Sequence, residues 1–90
     1  MTDDELNKFK QKLVETTSFP SVYMFKFIIK SDNRSIALVE NLFGAETDIL
    51  TKESEKGKYT SITAKQVVMN VEEILDIYQK ASVIRGIIFL

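Results

Sequence analysis

The sequence predicts an α+β domain of βαββαβ order, with two helices packed on one face of a four-stranded antiparallel sheet. Three observations carry this. Beyond a leading helix, the patterned segments run strand, helix, strand, strand, helix, strand. The middle two strands are joined by a tight turn, Lys56-Gly57-Lys58, in which glycine can take a positive φ. Each strand–helix–strand half must cross over right-handed, which brings both helices to the same face.

The first element is the leading helix. Thr2 followed by Glu5 is a capping box. Behind it Leu6, Phe9, Leu13 and Val14 fall near one stripe, with Asn7, Lys8, Lys10, Gln11 and Lys12 off it. Acidic residues lead and lysines follow, which complements the helix dipole. The helix is expected to end around Thr16-Thr17-Ser18, ahead of Phe19-Pro20.

The run from Val22 to Ile29, VYMFKFII, is rich in aromatic and β-branched residues and reads as a strand. Tyr23, Phe25, Phe27 and Ile29 share one face, and Val22, Met24, Lys26 and Ile28 the other. Ser31-Asp32-Asn33 offers caps for a helix carrying Ile36, Val39, Leu42 and Phe43, with Gly44 as its C′ residue. Thr47 to Glu55 is a polar strand, expected at an edge. Tyr59 to Met69 follows the turn, with Ile62, Ala64 and Val68 on one face and Tyr59, Ser61, Thr63 and Lys65 on the other. Asn70 and Glu73 cap a helix bearing Val71, Ile74, Leu75 and Tyr78 at i, i+3, i+4 and i+7. Val83 to Leu90, VIRGIIFL, reads as the closing strand. This is the ferredoxin-like order, or α/β plait, with the first and third strands in the centre. The competing arrangement is another α+β order with the leading helix inside the core.

Ninety residues without an internal repeat or linker make one domain, divided into a helical extension at 1–18 and a βαββαβ core at 19–90. A hydrophobic share of 44% suits a folded chain. Twelve basic residues against thirteen acidic ones give no global positive field, so nucleic acid is not an expected partner. The longest apolar run is far too short to span a membrane. An acidic start, Met1-Thr2-Asp3-Asp4-Glu5, is unlike a secretory leader, and the absence of cysteine fits a reducing compartment; the expected location is the cytoplasm.

Chemistry is bounded by what is missing. The chain has no histidine and no cysteine, and Gly44, Gly57 and Gly86 stand too far apart for a phosphate loop. The carboxylates at Asp3-Asp4-Glu5 and at Glu72, Glu73 and Asp76 fall mostly in first turns of helices, where they offset the dipole. A Ser61–Lys65 pair on neighbouring same-face positions reads as plain surface. No catalytic residue, metal site or cofactor is expected, and the chain is not expected to be an enzyme.

Function is therefore expected on the side of the sheet away from the helices. Strands apolar on both faces imply a cover for that side: the leading helix, a second copy or another protein. Lys26, Lys65 and Arg85, with Tyr59 and Ser61, are the candidate binding residues. The placement of Arg85 assumes that Val83, Arg85, Ile87 and Phe89 share the open face. Such a basic spot could take a partner's carboxylate or a small anionic ligand.

Phe19-Pro20, Phe25-Lys26, Lys56-Gly57-x-Tyr59-x-Ser61, Ile77-Tyr78 and Val83-Ile84-Arg85, in that order and spacing, resemble the YbeD-like family of small bacterial proteins of unknown function. The resemblance runs from about Phe19 to the end and implies a ferredoxin-like fold similar to ACT domains, the small-molecule-sensing modules of amino-acid metabolism. It brings no catalytic residues. ACT-type amino-acid sites use a glycine in the first strand–helix loop, which here is Ser31-Asp32-Asn33-Arg34. The expected function is a non-catalytic, ACT-like regulatory or adaptor module binding a protein partner or a second copy. The alternatives are a sensor of a small anionic metabolite and an RNA-binding module.

Overall fold

Helix starts in this chain are set by side chains that accept amide hydrogens. Thr2 accepts from the Glu5 N–H at 3.2 Å, Asp32 from Ser35 at 2.7 Å and Asn70 from Glu73 at 3.1 Å. At the last of these the Glu73 carboxylate also takes the Met69 N–H at 2.7 Å, closing the box one residue early. The computed structural model describes residues 2–90, so Met1, at the head of the acidic start, lies outside them. Its elements are α1 (Asp3–Thr16), β1 (Ser21–Lys30), α2 (Asn33–Glu40), β2 (Asp48–Glu53), β3 (Tyr59–Val68), α3 (Val71–Ser82) and β4 (Ile88–Phe89).

The sheet runs β2-β3-β1-β4 with every pairing antiparallel. This is the ferredoxin-like arrangement, preceded by α1. The two central strands pair along their whole length, from Ser21↔Val68 to Lys30↔Tyr59. Ser54 N–H donates to the Tyr59 carbonyl at 2.7 Å and Gly57, at φ 69°, turns the hairpin between β2 and β3. Phe25, Phe27, Ile29, Ile62, Ala64 and Val68 point from the sheet into a core completed by Val39 of α2, five residues of α3 and Leu13 of α1. The buried polar Thr60 shares a 2.7 Å hydroxyl bond with Ser31, so it is satisfied.

Four expectations change. The leading helix does not cover the open face: α1 lies on α3, with Phe9 edge-on to Tyr78 at 5.6 Å and Lys10 paired to Glu72 at 3.1 Å. Its Leu13 is buried there, in the apolar cluster to which α3 contributes Val71, Ile74, Leu75, Ile77 and Ala81. The second helix stops at Glu40 rather than Gly44; Leu42 and Phe43 continue it as single turns bonded to Val39 and Glu40, and Gly44 has no positive φ. The edge strand is Asp48–Glu53, shorter than expected because Ser54 and Glu55 enter the turn.

The closing strand departs most. Residues 83–87 are turn, tied by Ile84 N–H to Ala81 and Ile87 N–H to Ile84, with Gly86 at φ 78°. Alternation cannot be counted through a turn, and the facing is the reverse of that expected. Phe89 stands opposite Phe27 and packs on it at 5.5 Å, on the helix side, while Ile88 faces out beside Ile28.

The α2 cap gives one pH prediction. Bonds from the Ser35 backbone and hydroxyl, helped by Lys30 and Arg34, hold the Asp32 carboxyl below its ordinary range. A depressed folded pKa means the cap contributes above the ordinary value and is lost as pH falls through the folded one. Asp32→Asn keeps the cap without the charge. It is expected to flatten the fall in urea midpoint between pH 7 and about pH 3, and an unchanged slope would contradict this.

Candidate interaction face

Alternation along β1 decides what the sheet shows to solvent. Phe25, Phe27 and Ile29 are buried, so Val22, Met24, Lys26, Ile28 and Lys30 take the opposite side. Register carries this across: Val22 meets Val67, Met24 meets Lys65, Lys26 meets Thr63, Ile28 meets Ser61 and Lys30 meets Tyr59. One strand further, Asp48, Leu50 and Lys52 lie beside Lys65, Thr63 and Ser61. No helix lies over these residues, since α1, α2 and α3 all contribute to the core on the other side. Val22 is 63% exposed, Met24 55% and Leu50 70%.

The structure thus brings Lys26, Lys65 and Ser61 together on one surface. Thr63 sits between them, directly across from Lys26 and two residues from Lys65. Its diagonal neighbours on β2 are Asp48, across from Lys65, and Lys52, across from Ser61, whose hydroxyl donates to the Lys52 carbonyl at 3.3 Å. Among the described residues, Lys26, Lys52 and Lys65 make no ion pair. Tyr59 is on the same side but at its end, beside Lys30, with its N–H bonded to the Ser54 hydroxyl at 3.1 Å. Arg85 does not join. It stands in the turn ahead of β4, toward the end where β1 leaves for α2. Sequence reasoning missed Lys52, Leu50 and Ile88. Counting back from the Gly57 turn would have found the first two.

The concave regions have a different character. A broad one runs between residues 44–48 and the start of α3 and carries Glu46, Asp48, Glu73 and Asp76 against Lys65. A tighter one, about 140 Å³ under α1, is lined by Asp3, Leu6, Tyr78, Gln79, Ser82 and Phe89, without a cation. Among the described residues no three potential ligands are placed to hold a metal ion, and no helix is long and apolar enough to cross a membrane.

Fold and surface together define a ferredoxin-like domain with an extra amino-terminal helix and an uncovered, lysine-bearing sheet face. Residues 14–90 match the family model described as "Protein of unknown function (DUF493)", and the chain belongs to that family. It is 30% identical over 80 residues to a UPF0250 protein of Shewanella halifaxensis (strain HAW-EB4), covering 84% of this chain and 91% of that one. The likeness to the YbeD family read from the sequence is thereby borne out. No solved structure matches significantly.

Proposed function

We propose that the chain is a non-catalytic binding module, regulatory or adaptor-like in the manner of ACT domains, that engages another protein through the open face of its sheet. The observation that carries this reading is the exposure of Val22, Met24, Leu50, Val67 and Ile88 on one face while the amino-terminal helix packs elsewhere. An uncovered face on which exposed apolar residues stand among polar and charged ones has the mixed character of a non-obligate protein interface.

Two other readings fit less well. The hollows are acid-lined or lack a cation, which disfavours an anionic metabolite. On the open face Tyr59 is the aromatic residue, at one end, where RNA-binding sheets stack bases on aromatics of both central strands.

The test is affinity capture from lysate of the source cells. Met24→Asp is expected to abolish capture of the partner while keeping the urea midpoint close to wild type, since the site is on the surface. Leu38→Asp, an exposed apolar residue of α2, should retain it. Equal capture by wild type and Met24→Asp would overturn the reading.

A further inference from the structure

We infer that the occupant of the open face is an acidic amphipathic helix of a partner protein, its carboxylates docking on Lys26, Lys52 and Lys65 around Thr63. This rests on the reading of that face as the binding surface. Charge is unevenly divided in a chain of net charge −1. Lys26, Lys30, Lys52 and Lys65 project from the open face, and Asp48 is the one carboxylate of β1, β2 and β3 on that side. Each of the three adjoins Thr63: Lys26 across from it on β1, Lys65 two residues along β3 and Lys52 diagonal to it on β2. Cross-strand neighbours stand about 5 Å apart and diagonal ones about 7–8 Å, well within the reach of lysine stems. The short side chains of Ser61 and Thr63 form the floor between them, so a carboxylate can enter where a larger residue would block it.

Leu50 stands beside Thr63 within this basic centre, and the other apolar residues fall on both sides of it. Val22, Val67 and Met24 lie toward one end of β1, and Ile28 and Ile88 toward the other. From Val22 to Ile28 is about 20 Å at strand spacing, the length of roughly fourteen helical residues. A helix of that length with an apolar stripe and Asp or Glu beside it meets both apolar ends and the lysines together. A second copy does not. Face to face with the two-fold axis through the basic centre, each lysine group would meet its own image, and like charges in juxtaposition are repulsive.

The experiment uses the intact chain and a labelled eighteen-residue amphipathic peptide with Leu at i, i+3, i+4 and i+7 and Glu beside the stripe. Its control carries Lys for Glu. Anisotropy is expected to show the Glu peptide binding at least about tenfold more tightly than the Lys peptide, and weakening with salt. Lys26→Ala with Lys65→Ala should cost about tenfold, and Met24→Asp should abolish binding. Equal affinity for both peptides, or indifference to the lysine variants, overturns the acidic-helix inference; loss with Met24→Asp then leaves the face itself standing. Binding and capture that both survive Met24→Asp remove the underlying reading as well. Failure of both peptides overturns the inference. So does preferential binding to phosphatidylglycerol vesicles or single-stranded RNA, or self-association in the ultracentrifuge.

Discussion

Phe27→Ala is expected to lower the unfolding free energy by about 4 kcal/mol, the usual cost of deleting a fully enclosed aromatic ring. Phe27 has no exposed surface and lies at the centre of β1. Its ring is 5.5 Å from Phe89, 6.0 Å from Tyr78, and 6.3 Å from Phe25 and Phe43. Four partners, one on β1 itself, two on α3 and β4 and one in the loop after α2, cannot close together over the hole without moving the backbone that carries them. A domain of this size has only about 5–15 kcal/mol to lose, so a Tm drop of roughly 15–25 °C follows. Met24→Ala, three residues away on the opposite face, should stay within about 0.5 kcal/mol. Urea denaturation of the two variants checks both. A loss at Phe27 below about 2 kcal/mol would mean that the cluster relaxes more freely than its packing implies. The variant should also loosen β4, because Phe27 and Ile28 are its register partners on β1. Faster amide exchange at Phe89 and Leu90 would report this.

The order of elements and the facing of the central strands were legible because each rests on a short-range rule. VYMFKFII alternates cleanly, and its pairing with β3 follows from the Gly57 turn and the buried Ile62, Ala64 and Val68. The three helix caps were legible because Thr2, Asp32 and Asn70 bond to amides three residues on. The last eight residues were not. VIRGIIFL has strand composition throughout, but the α3 end folds Ile84 back into the core and Gly86 reverses the chain, so only Ile88 and Phe89 reach the sheet. That single misreading moved Arg85 onto a face it does not share and kept Ile88 off it. The docking of α1 was illegible for another reason. Leu6, Phe9 and Leu13 define an apolar stripe without naming its target; Tyr78, reached only in three dimensions, supplies it.

Tyr78 is also where the second large effect is expected. Half-buried on α3, its ring meets Phe9 of α1, Tyr23, Phe25 and Phe27 of β1 and Phe89 of β4, and its hydroxyl is 3.1 Å from that of Tyr23. Tyr78→Ala removes the side chain through which the amino-terminal helix and the last strand share the core, and should cost about 3 kcal/mol. Tyr78→Phe keeps the ring and loses only the hydroxyl bond, for about 1 kcal/mol. The phenol also makes stability depend on alkaline pH. Burial first, and the Tyr23 bond second, push its pKa above the ordinary value of 10.0. Above that value the unfolded phenol ionises while the folded one stays neutral, so the unfolded chain binds fewer protons and stability falls with rising pH; below it the contribution is complete. The urea midpoint of the wild type should therefore drop between pH 9 and pH 11 more steeply than that of Tyr78→Phe. Parallel curves would assign the alkaline loss to other groups and leave Tyr78 with its packing role alone.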